Sequence, residues 1–344
     1  MQSNAKELTQ RQHTLLLAAV QEFIARAEPV GSHHLASRHT LGVRSATVRN
    51  LLGELEDAGY LSQPHTSAGR VPTDKAFRYF VDHVTLAIPF EDRAQIELHY
   101  SSLPPDLNAV IRDTSRLLAL MTGQAALVRA PKLESSMIEQ VRFLRLRERE
   151  VLVIFVAPAG NVQHRLVNAE RDYTQSELDR MAAYLKDSLS GRTLEQARGW
   201  IEENLRQERA RYDDFMRGAL LLGEALTQPS GATELYVEGS ARAMSQPEFA
   251  DSSRLRELLQ ALEDKDALLD LLDRALKQNG PMISIGSENF DVRLAGFSVV
   301  AAPYASGASQ GSLAVLGPVR MDYERVIPLV SYTAKALSHA LGNG

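Results

Sequence analysis

Apolar residues recur at intervals of three and four from the start of the chain, at Leu8, Leu15, Leu16, Ala19, Val20 and Phe23, which predicts an amphipathic helix over residues 8–26. Pro29 and Gly31 end it. A second, short helix begins at Ser32, whose hydroxyl can cap free amides, and carries Leu35 and Ala36 before a turn at Leu41-Gly42. A third opens at Ser45 and turns Val48, Leu52 and Leu55 inward until Gly59 stops it. Two short apolar runs then flank the polar residues 63–70, the pattern of a β-hairpin with a long tip. Thr73 can cap a fourth helix through Phe77, Phe80, Val81 and Val84, and Pro89 opens a looser polar stretch.

Pro104-Pro105 marks a second boundary, beyond which a helix resumes with Leu107, Val110, Ile111, Leu117 and Leu118 on one side. Strand-like runs follow at 125–128, 138–146, 151–156 and 162–167, with Pro158-Ala159-Gly160-Asn161 as a hairpin turn. Thr174 with Glu177 and Thr193 with Gln196 have capping-box spacing and start two helical tracts, the second reaching about residue 226. Helical pattern continues over 252–276, strands return at 282–285, 297–302 and 312–316, and a last helix covers 323–341. The economical division is a first domain at 1–88, a connector at 89–104, an α+β domain built from 105–172 and 230–344, and a helical insertion at 173–229.

Composition narrows the class. An apolar fraction of 44% and a charged fraction of 24% are those of a folded globular chain. Cysteine is absent, which excludes disulfides, thiolate metal sites and cysteine nucleophiles. The first ten residues lack the apolar core of a secretory signal, and the strongest continuous apolar stretch, 151–156, is far short of the roughly 20 residues a membrane helix needs, so a cytoplasmic protein with no membrane partner is expected. Gly-x-Ser-x-Gly, kinase and metal-ligand patterns are missing, which argues against an enzyme and against a cofactor.

A net charge of −5 would repel phosphate at long range, so any nucleic-acid surface must be local. Basic and acidic residues nearly balance over residues 1–83, but Arg38, Arg44, Arg49, Arg70, Lys75 and Arg78 gather around the third helix and the hairpin. A helix-turn-helix needs a second helix that offers polar side chains to base edges from its first turns while its other face packs inward. Arg44, Ser45, Thr47, Arg49 and Asn50 occupy that position. Arginine can read guanine and asparagine adenine through paired hydrogen bonds, while Ser45 and Thr47 suit either base or phosphate. His65, Thr66, Ser67, Gly69 and Arg70 supply the hairpin tip with donors and one small residue that would let the backbone approach DNA. Lys75 and Arg78, on the next helix, are candidate phosphate clamps. Either Arg49 or Asn50 alone would suit an ordinary solvated face; the order of three helices and a wing points to DNA.

The chain resembles the HrcA family of heat-inducible transcription repressors. The resemblance rests on Glu28-Pro29-Val30-Gly31-Ser32, on Ser45-Ala46-Thr47-Val48-Arg49-Asn50, and on the run from Gly59-Tyr60-Leu61 through Thr66-Ser67-Ala68-Gly69-Arg70-Val71-Pro72-Thr73-Asp74. Further blocks are Tyr236-Val237-Glu238-Gly239, Gln246-Pro247-Glu248-Phe249 and Leu316-Gly317-Pro318-Val319-Arg320-Met321-Asp322-Tyr323. It implies an N-terminal winged helix-turn-helix followed by a GAF-like α+β domain with an inserted dimerising segment. It implies too a homodimer that binds the inverted-repeat CIRCE operator of chaperone operons, with a GroE-type chaperonin keeping the repressor active.

Other readings compete. A ligand-responsive winged-helix regulator of other genes would need a pocket in the α+β domain, where no polar cluster specifies one. A scaffold that binds chaperones but no longer DNA would lack selective binding altogether. His33, His34 and His39 are close in sequence, yet His33 and His34 point to different helix faces and form no preorganised metal site. Residues 306–311, rich in Gly and Ser, lack the lysine and following helix of a phosphate loop and read as a flexible hairpin.

Overall fold

Helix α1 (Gln10–Arg26) begins with a capping box: the Thr9 hydroxyl accepts from Gln12 N, and the Gln12 side chain accepts from Thr9 N at 2.9 Å. The computed structural model describes residues 8–38, 45–65, 69–102, 106–131, 137–156, 162–208, 214–227, 235–278, 280–307 and 309–342. Helices α2 (Ser32–Arg38) and α3 (Ser45–Asp57) follow, and α3 stops at Gly59, whose φ of +76° suits glycine. Strands β1 (Leu61–Ser62) and β2 (Val71–Pro72) pair antiparallel, Leu61 opposite Pro72, and lead into α4 (Asp74–His83). Leu15, Leu16, Val20, Leu35, Val48, Leu52, Leu55, Phe77 and Phe80 lie in one core, so the inward stripes expected for these helices are the ones that pack.

The polar connector expected over 89–104 contains a helix, α5 (Phe90–Tyr100). Its one buried residue, Ile96, sits against Leu117, Met121 and Leu329. A stripe one residue wide leaves no periodicity to detect, which is why the sequence pattern missed it.

Helix α6 (Leu107–Thr122) is capped by Asp106 and closed by Gly123 at φ +68°. The fully buried β3 (Ala125–Arg129) follows in an antiparallel sheet ordered β7-β3-β10-β9-β8, with β7 (Leu235–Glu238), β8 (Met282–Ile285), β9 (Phe297–Ser306) and β10 (Ser309–Pro318). Along β10, Leu313 and Val315 join the core with α6 and α13 (Tyr323–Gly342). Ala314 and Leu316 face the other way, toward α10 (Ser240–Met244), α11 (Ser252–Glu263) and α12 (Lys265–Leu276). The Gly-rich stretch at 306–311 is largely strand: Ser306 pairs with Ser309, and Gly311 lies under the Tyr304 ring, where a Cβ would overlap it.

Strands β4 (Gln140–Arg147), β5 (Glu150–Val156) and β6 (Val162–Asn168) do not join this sheet, as the division at residue 172 supposed. They form a separate antiparallel sheet, order β4-β5-β6. Val141, Phe143, Val151, Val153 and Phe155 pack beneath α7 (Gln175–Leu189), α8 (Leu194–Glu208) and α9 (Asp214–Thr227) in a core of their own. The chain therefore leaves the main sheet after β3 and returns at β7, and the inserted unit holds a sheet as well as helices. The turn expected at 158–161 lies outside the described residues. Both capping boxes at Thr174 and Thr193 form, with Gln196 N donating to Thr193 Oγ1 at 3.3 Å and Gln196 Oε1 accepting from Thr193 N at 3.0 Å.

The N-terminal helices share a core with the main sheet: Phe77 and Leu15 belong to the same buried cluster as Ile285, Tyr323, Val326 and Ile327. No helix among the described residues is long and apolar enough to cross a membrane.

Candidate nucleic-acid interface

Val48, Leu52 and Leu55 fix the roll of α3 by burying 97% or more of their surface, which turns the intervening residues outward. Ala46, Thr47, Arg49 and Asn50 are exposed and Ser45 half-buried. Arg49 and Asn50 have no hydrogen-bond or ion-pair partner among the described residues. The first turn also carries the positive end of the helix dipole. The acidic residues of α3, Glu54, Glu56 and Asp57, all lie toward its other end, where Glu54 accepts from Gln12 Nε2 at 2.8 Å and Glu56 lies 2.8 Å from Arg70 Nε. Charge is thus graded along the helix: its N-terminal turns can enter an anionic groove while its carboxylates stay behind.

The hairpin is tied to the loop between α1 and α2. Val30 N donates to Arg70 O at 2.8 Å and Arg70 N to Val30 O at 2.9 Å, so Val30 adds a bridge to the β1–β2 pair. Gly69 serves this contact: a Cβ there would lie 2.6 Å from Val30 O. Its smallness lets two protein backbones meet, a different role from the DNA approach expected of it. Gly69→Ala is expected to destabilise the protein by about 1–3 kcal/mol through forced backbone movement, measured as a lowered thermal midpoint; an unchanged midpoint would show that the loop yields freely.

His65 is exposed, whereas Arg44, Thr66 and Ser67 lie outside the described residues. Arg70 is half-buried, and its Nε is close to the Glu56 carboxylate without being aligned for a hydrogen bond. Lys75 is exposed along its stem, but its ammonium donates to Ala58 O at 2.8 Å and sits 4.2 Å from the centre of the Tyr60 ring, closing the end of α3. Arg78 points away from α3 altogether. Its Nε donates to Glu288 Oε1 at 2.8 Å and its terminal nitrogen to Ile283 O at 2.9 Å, with Asp82 3.6 Å away. Its hydrogen bonds to Glu288 raise the Arg78 guanidinium pKa. For Glu288 itself, burial pushes upward, but the bonds from Arg78 and from Ile285 N hold the carboxyl below its ordinary value. The structure therefore presents Ser45, Thr47, Arg49 and Asn50 on α3 and engages Lys75 and Arg78 with partners within the protein.

Of the histidines weighed as ligands, His34 is bound to the buried Glu22 at 2.5 Å, and His39 is outside the described residues. An open groove of about 790 Å³ lies beside α11, lined by Arg254, Glu257, Asp264, Arg293 and Gly296. Its guanidinium groups are already paired, Arg254 with Glu257 at 3.1 Å and Arg293 with Asp264 and Asp291, so neither is free to hold an anion.

A family model described as the HrcA protein C terminal domain matches residues 108–327. The chain belongs to the HrcA family. Proteins named heat-inducible transcription repressor HrcA are similar to this HrcA-family chain along its whole length. That of Geobacter sulfurreducens is 40% identical, covering 97% of this chain and 98% of its own, and that of Sorangium cellulosum is 39% identical, covering 98% and 99%. A crystal structure of a protein described only as hypothetical superposes with a TM-score of 0.63 at 23% identity over 98% of this chain and 99% of that one, so the same fold extends over both. The geometry gives physical reasons for the blocks by which the HrcA resemblance was found: Gly69 meets Val30, and the Thr73 hydroxyl donates to Gly59 O at 2.8 Å.

Proposed function

We propose that this member of a family of heat-inducible transcription repressors reads DNA through residues 8–83, acting as a winged helix-turn-helix with α3 in the major groove and the β1–β2 hairpin as the wing. The observation that carries this is the exposed pair Arg49 and Asn50, without a hydrogen-bond or ion-pair partner among the described residues, on the cationic end of a helix whose roll is locked by Val48, Leu52 and Leu55. Two chains would place two such helices on an inverted repeat, since a protein dyad matches a palindromic site. The target is the CIRCE operator of class I heat-shock operons, repressed in the cytoplasm and released on heating, with a GroE-type chaperonin maintaining the active form and the five-stranded unit serving as a GAF-like domain. Dimerisation is assigned to the inserted unit. Its second sheet face carries Leu144, Leu152 and Leu166 side by side across three strands, and Leu144, Leu146 and Leu166 are 41%, 53% and 57% exposed.

The test is competition between the inverted-repeat operator and scrambled DNA at fixed salt, at growth and heat-shock temperature, with and without chaperonin. Tight selective binding that fades with heat supports the proposal; equal weak binding to both DNAs in every condition removes it. In the same assay Arg49→Ala is expected to cost about 1–3 kcal/mol on the operator and to relax selectivity at particular base pairs. An equal loss on scrambled DNA would reassign Arg49 to phosphate.

A further inference from the structure

Helix α4 grips two bodies with alternate residues of its first turns. Thr73 and Lys75 hold the end of the reading helix, through Gly59 O and Ala58 O. Asp74 and Arg78 hold the main sheet. Asp74 Oδ2 accepts from Ser287 N and Ser287 Oγ, each at 2.8 Å, and Arg78 engages Glu288 and the Ile283 carbonyl.

The socket that receives Asp74 and Arg78 is built independently of α4. Asn289, nine-tenths buried, donates from Nδ2 toward Gly286 O, Leu294 O and Phe297 O at 2.9, 2.8 and 2.7 Å, and Glu288 Oε2 accepts from Ile285 N at 3.0 Å. Gly286, at φ +53°, leaves room for the Asp74 carboxylate, which a Cβ there would overlap. Phe77, one turn along α4, lies 6.0 Å from the buried Tyr323 ring, so apolar packing flanks the polar contacts.

We infer that Asp74 and Arg78 are positioning residues for operator recognition: they lock α4 into the socket at Gly286, Ser287 and Glu288, and α4 in turn fixes the direction in which α3 leaves the body of the repressor. The inference rests on the proposed operator reading and deepens it. An inverted repeat demands that two reading helices sit at one separation and orientation, and a helix-turn-helix swinging on a loose joint would have to be ordered on every binding event. Non-specific binding makes no such demand, because phosphates occur along any duplex. Breaking the lock should therefore lower affinity for the operator and leave affinity for random DNA alone.

The experiment is a double-mutant cycle in the full chain with Arg78→Ala, Glu288→Ala, the pair together, and the exchange Arg78→Glu with Glu288→Arg, each titrated against operator and scrambled DNA over a range of salt. Each single variant is expected to bind the operator about tenfold more weakly, the double no more weakly than either single, and the exchanged pair to recover part of the loss. Scrambled-DNA affinity and the salt slope should stay at wild-type values. Arg78→Ala weakening both DNAs alike and lowering the salt slope by about one contact would make Arg78 a phosphate ligand and overturn the inference. So would a selective wild type whose Glu288→Ala variant binds the operator just as tightly. Equal wild-type binding to operator and scrambled DNA, in contrast, removes the operator reading itself, and the positioning role with it.

Discussion

Replacing Leu144 and Leu166 together by Asp is expected to leave a folded monomer whose operator affinity is lower by about two to four orders of magnitude. The two leucines share one face of the inserted sheet: Leu144 stands opposite Leu152, which stands opposite Leu166, and the partly exposed Ile154 flanks them on β5. The opposite face is already filled, with Phe143, Val153 and Phe155 at 1%, 0% and 1% exposure beneath α7 and α9. Removing apolar side chains from the open face makes no cavity, so the isolated chain should keep its stability, while two carboxylates brought onto a self-complementary contact would be desolvated and repel. On the proposed dimeric reading, with one half-site engaged the second α3 would be held near its own half-site only through the dimer, and that effective concentration would vanish when the subunits separate. Light scattering should fall from twice the chain mass to the chain mass, and operator binding should drop while scrambled-DNA binding does not. A variant that remains dimeric would move the contact elsewhere, and a monomer that binds the operator as tightly as wild type would show that one half-site suffices.

The open face was partly legible in the sequence. Strands that pack on one side alternate apolar and polar, but β5 reads Val151, Leu152, Val153, Ile154, Phe155, Val156 without a break, the signature of a strand with both faces covered. Among the described residues only one face is covered. Helix positions were the most readable part, because three- and four-residue spacing and caps at Thr174 and Thr193 are local properties. Strand partnership was not local. β3 pairs with β7 on one side and β10 on the other, and each lies far along the chain, so nothing near residues 125–129 tells that the next three strands belong to another sheet.

The reading surface divides the same way. The outward direction of Thr47, Arg49 and Asn50 follows from the inward spacing of Val48, Leu52 and Leu55, all on one helix. Arg78 satisfied the sequence test for a phosphate clamp, a basic residue near a wing, but its partner Glu288 comes from the other end of the chain. Gly69 was recognised as a place for close approach, while the approaching backbone, that of Val30, is fixed only by tertiary structure. The sequence assigns no role to Asp74, Ser287 or Val30, because a helix N-terminal carboxylate, a serine and a loop valine are unremarkable until folding brings their partners to them.

Phe77→Ala is expected to lower stability by about 3–5 kcal/mol and to bring the temperature of operator release down with the melting temperature, by on the order of 10 °C. Phe77 is 2% exposed, 6.2 Å from the Phe23 ring of α1 and 6.0 Å from the Tyr323 ring of α13. Tyr323 is fully buried and held by its hydroxyl, which donates to Val319 O at 2.7 Å and lies 2.6 Å from Ser298 Oγ, so it cannot move to fill the space that truncation leaves. The loss falls where the N-terminal helices meet the main sheet, next to the contacts of Asp74 and Arg78, and so it should act on orientation as well as on stability. Phe77→Leu, which keeps most of the volume, should cost less than about 1.5 kcal/mol and shift release by correspondingly less. Calorimetry beside operator binding across temperature separates the possibilities. Parallel shifts of melting and release in both variants would make this junction the heat-labile joint of the repressor. Release at the wild-type temperature from a Phe77→Ala protein that melts early would place the heat-sensitive step elsewhere, in the dimer contact or in a partner.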